Sequence, residues 1–538
     1  MRFARAGRTA AVAVTGLAAA GVLATAATVG DEWFDRWTGA EATALAAANR
    51  EVAVQPAPVA LVCPRGVELP EGADVGDEQF GATPVGTESW VRAVVAGAAG
   101  TPGLTRLDGS DAAPMTQGPD AAVGADDGPL DVITGEPEPS AELRVAGATA
   151  SVTTAGDLRG LAAASCRAPA TEHWLVGGDS EVGSSAVLTV RNPSDRPAAV
   201  TLDVLGPTGQ VPVGGQGAFT LAPGEQTAVR LDSLAPEQRR LAVHVQAAGA
   251  RVTASLQTQG IDGLLPAGTD VVEPGSAPAR SVVVTGVLAD GAAADDPHAA
   301  ELWLAAPTDA GTARITVLGP GGPVTLRGAE TVVLEPGVVT PVPLGGLDAG
   351  TYTVVVDADV PVVGAARFAV AGVQPEDSVI DGTPYDVAWS AARALPEAGE
   401  PSSSQVALPS PAQQATVVLT GVPADRSPDG SAEGETGVTL RGLDADGALA
   451  GEQEVAVPVG GTVEVPAADL GAVAAVTVDV PAVDAADRPA DAPAAVTWSV
   501  RVAASDGTAQ DGTLVATLDP TATLQTPGEV VVRRVDAP

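Results

Sequence analysis

Three stretches of this chain repeat one pattern, and that repetition constrains the fold more than any single motif does. VTLDVLGPTGQ (Val200 to Gln210), ARITVLGPGGPV (Ala313 to Val324) and VTLRGLDADGAL (Val438 to Leu449) each alternate in polarity and run into a Gly-containing turn. Alternation with a period of two marks a strand with one buried face. The partners come at a fixed distance. FTLAPGEQTAVRL (from Phe219) and VVLEPGVVTPVPL (from Val332) share Leu-x-Pro-Gly followed by Val-x-Leu, and the step from turn Gly to Pro is 17 in both, 206 to 223 and 319 to 336. The third unit has the shorter VAVPVGGTVEV from Val455. Opening strands (SAVLTVRNP, AELWLAAP, QATVVLTGVP) and closing pairs such as LAVHVQAAGARVTASLQ complete each unit. About seven short strands per roughly 100 residues is the signature of an immunoglobulin-like β-sandwich.

The expected fold is therefore all-β: tandem immunoglobulin-like sandwiches behind an N-terminal transmembrane or signal helix. The expected boundaries are an Arg-rich tip and helix at 1–38, an exported region at 39–168 packed on the first sandwich, and sandwich repeats at 169–272, 281–373 and 411–538, with a linker at 374–410. Residues 57–168 fit the repeat less well, with an acidic Gly/Pro-rich loop from Leu107 to Glu138 and a short helix expected near Asp157. In LAVHV the alternation puts His244 on the face opposite Val243 and Val245, where solvent is expected.

Arg2, Arg5 and Arg8 precede an uncharged stretch from Thr9 to Gly30, whose 22 residues would span about 33 Å as a helix. The basic tip places the N-terminus inside and the rest outside. Ala24-Thr25-Ala26 is an acceptable cleavage site, while Trp33, Phe34 and Trp37 resemble an interfacial belt and favour an uncleaved anchor. Cys63 and Cys166 are the two cysteines. In an exported chain they are expected to form one disulfide. A metal pair would lack ligands, with histidine at 173, 244 and 298 alone.

A formal charge of −39, from 67 acidic and 28 basic residues, excludes nucleic acid as a partner, because such a chain repels phosphate backbones. Gly178-Asp179-Ser180 with Asp295-Asp296-Pro297-His298 has the parts of a serine-esterase triad. That chemistry needs the serine on a strand-to-helix turn beside oxyanion donors, whereas Ser180 leads into a loop and then a strand. Asp444-Ala445-Asp446-Gly447 resembles part of a calcium loop but aligns with a hairpin turn, Gly206 to Gly209, and lacks the terminal Glu. No catalytic residue, metal site or cofactor is expected.

The segment from Cys166 carries the marks Trp174-Leu175-Val176-Gly177-Gly178, Asn192-Pro193 and Leu205-Gly206-Pro207-x-Gly209. In these it resembles an uncharacterised family, a domain of unknown function, from high-GC Gram-positive bacteria. The resemblance implies an N-terminal membrane segment, an exported β-rich body, no known activity and no assigned catalytic residues. The expected function is a non-enzymatic, membrane-anchored scaffold or interaction protein of the cell envelope, whose partner is another envelope protein. The alternative is a glycan-binding or polysaccharide-assembly accessory with exposed tryptophans stacking on sugar, for which Trp389, in a linker-like stretch, is the candidate contact. A serine esterase is the minor alternative.

Overall fold

A computed structural model describes residues 49–54, 58–69, 87–98, 100–126, 130–137, 142–326, 328–374, 381–395, 402–409, 414–424, 426, 434–481, 495–506, 514–521 and 528–533. The expected N-terminal helix lies outside these residues. No helix among the described residues is long and apolar enough to cross a membrane. Contacts divide the chain into two units, Met1–Pro56 with Thr526–Pro538, and Ala57–Gln525. In the first, β1 (Asn49–Val54) pairs antiparallel with the last strand, Gly528–Arg533.

The larger unit begins with β2 (Val59–Val62), β3 (Thr87–Ala96), β4 (Gly103–Thr105), β5 (Thr116–Gln117), β6 (Ala122–Asp126), β7 (Val132–Gly135), β8 (Arg144–Thr153) and β9 (Gly160–Ser165). They form two sheets, β2-β7-β4 and β5-β6-β3-β8-β9. Next come β10 (Glu172–Val176), β11 (Ser184–Arg191), β12 (Ala198–Gly206), β13 (Gly209–Val211), β14 (Ala218–Leu221), β15 (Gln226–Arg230), β16 (Ala242–Ala248), β17 (Thr253–Asp262) and β18 (Leu265–Val272). Their sheets are β10-β16-β12-β13, with β14 also on β12, and β15-β11-β17-β18.

The third group is β19 (Ala279–Ala289), β20 (Glu301–Ala305), β21 (Gly311–Gly319), β22 (Gly322–Val324), β23 (Thr331–Leu334), β24 (Val339–Pro343), β25 (Gly350–Ala371), β26 (Tyr385–Ala391) and β27 (Arg393–Ala394). Strand β25 passes from one sheet into the other. Its first half pairs with β19 and β21, and its second with β20 and β26. It therefore does the work of both β16 and β17, which a turn at Gly249 separates. The fourth group is β28 (Ser402–Ala407), β29 (Gln414–Val422), β30 (Glu435–Leu443), β31 (Leu449–Pro458), β32 (Thr462–Pro466), β33 (Ala475–Val480), β34 (Ala495–Ala504) and β35 (Leu514–Leu518), in sheets β28-β33-β30-β31 and β32-β29-β34-β35.

All four groups share one strand order. The opening strand joins the sixth and third strands in one sheet, and the fifth, second, seventh and closing strands make the other. Alternation decides the faces: in β12 the burial of AAVTLDVLG switches residue by residue until the strand is covered on both sides. The region 57–168, expected as an outlier, is thus a sandwich of the same order. The expected helix near Asp157 is a turn, and the acidic loop holds β5, β6 and β7. The stretch expected as a linker, 374–410, contains the closing strand β26 and the opening strand β28.

The sandwiches succeed one another head to tail and close on themselves. Opening strand β10 lies against β25 of the third sandwich, β19 against β34 of the fourth, and β28 against β8 of the first. The first joins the second through the segment after β2, where Glu68 N donates to Gln257 Oε1 at 3.1 Å. A second contact repeats around the circle, made by the turn ahead of each fifth strand or by that strand's first residue. A Cβ on Gly224 would sit 3.0 Å from Asp108 Cα. Gly337 faces Leu205 and Gln210. Thr462 Oγ1 donates to Leu318 O at 3.1 Å. Asp120 and Ala121 both donate from N to Gly447 O at 3.0 Å. Such head-to-tail interfaces give a ring when the rotation closes.

Candidate functional site

The four closing strands meet at the middle of the ring. β9 lies against β18 and β35, and β26 against β18 and β35. Each closing strand is the last of its sheet, so its outer N–H groups have no ladder partner, and buried backbone donors must be satisfied. Carboxylates perform this task. Asp386 Oδ2 accepts from Leu161 N at 3.1 Å and Val515 N at 2.8 Å. Asp270 accepts from Ala163 N at 3.4 Å and Trp389 N at 2.8 Å. Glu273 Oε1 accepts from Ser165 N at 2.6 Å. Alternate donors of β9 are thereby bound by acids of the second and third sandwiches.

One or two residues past the closing strands stand Arg167, Glu273, Arg393 and Asp519, alternating in charge around the centre. Arg167 Nε donates to Glu273 Oε2 at 2.7 Å, and its Nη2 lies 3.7 Å from Asp519 Oδ2. Arg393 donates to Asp519 from Nε at 2.9 Å and Nη2 at 2.7 Å, and reaches Glu273 at 3.4 Å. Each arginine thus bridges both acids. Arg167 and Arg393 also donate to Pro520 O and Pro274 O, which ties the segments leaving the strands together. Glu273, just past the expected end of the repeat at 272, is part of this centre. At the start of β9, Arg159 Nη2 donates to Asp506 Oδ2 at 2.7 Å.

Burial pushes the Asp386 carboxyl up to about 7. Burial and then the neighbouring Asp386 charge hold Asp270 well above the usual carboxylate range. Burial raises Glu273 against the pull of Arg167. Paired acids with raised values are a feature of catalytic sites, yet here each carboxylate is engaged with backbone donors of two strands or with two arginines. The arrangement can hold strands together and hold a proton.

The sequence-marked residues lie in joints. Cys63 and Cys166 form the disulfide, joining the residue after β2 to the residue after β9. Trp174, Leu175 and Val176 are buried in β10. Trp174 stacks on His244 at 4.0 Å and donates to Glu172. His244, expected in solvent, is buried there and bonded to Glu172 at 2.9 Å, because the face of β16 opposite its own core is covered by the neighbouring side chains. A Cβ on Gly177 (φ 151°) would meet Val272 at 2.8 Å and the Trp389 ring at 3.1 Å. Gly178 (φ 74°) faces Thr258.

Asn192 is fully buried and donates from Nδ2 to Arg196 O, Leu221 O and Ala222 O, while Pro193 ends the strand. It thereby fastens the Leu-x-Pro-Gly turn that docks on the first sandwich. Gly206, Pro207 and Gly209 form the turn against which the third sandwich's Leu-x-Pro-Gly turn rests.

Trp389, expected as an exposed sugar contact, is in β26 and buried, edge-on to Trp303 at 4.7 Å. A closing strand at the ring centre is covered on both faces, which removes that candidate contact from solvent. Ser180 Oγ donates to Ala235 O and accepts from Gln238 N at 2.9 Å. His298 stacks instead on Tyr385 at 3.6 Å. The two halves of the nominal triad thus have other partners. Asp444 Oδ1 accepts from Asp446 N and Ala448 N, so the calcium-like stretch is an Asx turn at the contact between fourth and first sandwiches. Among the described residues no His/Cys/Asp/Glu group has the arrangement of a metal site.

Among the described residues of Ala57–Gln525, fold and centre define an all-β body of four two-sheet sandwiches closed in a ring. The chain belongs to the Family of unknown function (DUF5719), whose profile matches residues 121–468, from within the first sandwich to within the fourth. No curated protein matches it. Among solved structures it is similar to dimeric latent PorU from Porphyromonas gingivalis at 10% identity and TM-score 0.12, covering 65% of this chain and 34% of that one. It is similar to an alpha-L-rhamnosidase from Streptomyces avermitilis at 10% identity and TM-score 0.11, covering 78% and 55%. The chain spans less than two thirds of either protein, and likenesses this low carry no argument.

Proposed function

We propose that the protein is a non-enzymatic scaffold of the cell envelope, held at the membrane by its N-terminal segment, with the ring outside and its surface offered to another envelope protein. One observation supports this reading above the others: the chemically capable groups of the described body are engaged in holding the fold, the acids and arginines of the centre by joining sandwiches and Ser180 by bonding Ala235 and Gln238 within its own. The disulfide fits an oxidising compartment. We read the sandwiches as immunoglobulin-like in the pairing of second with fifth and third with sixth strands. Their opening and seventh strands differ, pairing with the sixth and second.

The test is affinity capture with the full-length chain from envelope extracts, beside a polysaccharide pull-down and an ester-hydrolysis assay of the protein and its Ser180→Ala variant. Recovery of a defined protein partner, with no hydrolysis that the variant loses, is the expected result. Hydrolysis abolished by Ser180→Ala would overturn it.

A further inference from the structure

Strand β31 stands at the outer edge of its sheet, β28-β33-β30-β31, and runs ten residues without a break, Leu449–Pro458. The equivalent edge is broken in the second sandwich into β13 and β14, and in the third into β22 and β23, pieces of three and four residues. The beginning of β31 is taken: Leu449 N donates to Asp120 Oδ2, and a Cβ on Gly451 would sit 2.6 Å from Leu470 O. From Glu452 to Val457 only β30 pairs with it among the described residues. Every second N–H and C=O of an antiparallel edge strand points away from its neighbour. This stretch therefore offers a row of unmade hydrogen bonds to an added strand.

The two faces of β31 decide what such a strand would carry. Val455 and Val457 lie with Val438 and Leu440 in the apolar core. On the opposite face Glu452 and Glu454 stand exposed. Glu452 is paired with Arg441 at 2.6 Å. Glu454 lies over Gly437, where a Cβ would sit 2.9 Å from its Oε1, and no cation among the described residues pairs with it. A second copy of the chain is a poor occupant. Antiparallel self-pairing centred on Gln453 sets Glu452 against Glu454 of the other copy, and like charges directly opposite are destabilising. A strand with basic side chains opposite the glutamates, and apolar ones extending the valine row, suits both faces.

We propose that β31 is the docking edge for an extended segment of another envelope protein, alternating basic and apolar residues, which joins the fourth sandwich as an added strand. This rests on the scaffold reading and names its surface and the chemistry of its partner. The test adds end-blocked synthetic peptides to the full-length chain and follows binding by fluorescence anisotropy and amide hydrogen exchange. One peptide alternates arginine and valine, and a second has glutamate for arginine. A third is the first N-methylated throughout, which keeps the charge and removes the donors. The arginine peptide is expected to bind with a Kd on the order of 100 μM and to slow exchange at alternate amides between Glu452 and Val457. The exposed substitution Glu454→Arg should weaken it about tenfold. Equal binding by the glutamate or the N-methylated peptide, protection only outside β31, or no binding of the arginine peptide would overturn the proposal. In the envelope capture, a partner retained equally by Glu454→Arg would also overturn it while leaving the scaffold reading in place.

Discussion

Asp386 shows how one side chain sets a property of the whole body. Its Oδ2 holds N–H groups of β9 and β35 while its Oδ1 is buried without a partner, facing Asp270 on one side and Arg159 on another. The folded carboxyl, at about 7, lies above its ordinary 3.8. Folding therefore favours the protonated form. The stabilisation is fully present below the unfolded value and is lost as pH rises through the folded one, a difference on the order of 4 kcal/mol. Asparagine has the shape of the protonated acid and no charge to bury. Asp386→Asn should thus match the parent in urea midpoint near pH 4 and exceed it near pH 8. A variant less stable than the parent at the higher pH would contradict this assignment. The arginine and acid quartet behaves differently, since its charges compensate one another, and removing one would leave a buried charge uncompensated.

At the level of elements, the closing strands do two jobs, ending a sheet and meeting three other strands. Their close approach demands glycine: a Cβ on Gly268, at φ 103°, would lie 2.4 Å from Val387 N. Gly268→Ala should lower stability by about 1–3 kcal/mol through overpacking and backbone strain, measured by urea unfolding, and a neutral result would show that β18 and β26 are farther apart. The closing strands also separate the legible part of the sequence from the hidden part. Periodicity and the Leu-x-Pro-Gly spacing made the three later sandwiches legible, because their strands are long and alternate. The first was obscured by strands as short as β4 and β5 and by Gln117-Gly118-Pro119-Asp120 where the second and third have Leu-x-Pro-Gly. The centre was hidden for another reason: it assembles residues more than 100 positions apart, and Trp389 reads as linker until β26 is placed in its sheet. The alternation of Arg167, Glu273, Arg393 and Asp519 just past four equivalent strands was a usable signal, once the first sandwich was counted as a repeat.

On the scale of the molecule, chain connectivity brings sandwiches one to two, two to three and three to four together, while the fourth meets the first with no direct chain connection. That last contact is extensive. Val94, Ala148 and Leu161 of the first sandwich share an apolar cluster with Val406, Leu419 and Trp498 of the fourth, and Leu449 N donates to Asp120 Oδ2 at 2.9 Å. The disulfide, whose cysteines are 103 positions apart, locks the first sandwich on which the ring closes; a loop of that size contributes up to about 4.7 kcal/mol by restricting the unfolded chain. Closure is the claim on which the scaffold reading rests, since it is what engages the buried charges. It is tested most directly by replacing Asp120 and Leu449 with cysteine and treating the oxidised protein with a short bismaleimide. A closed ring gives an intramolecular link between positions 120 and 449 in the monomer, identified by peptide mass. Links formed only between molecules, or none while each single variant is labelled, would contradict it.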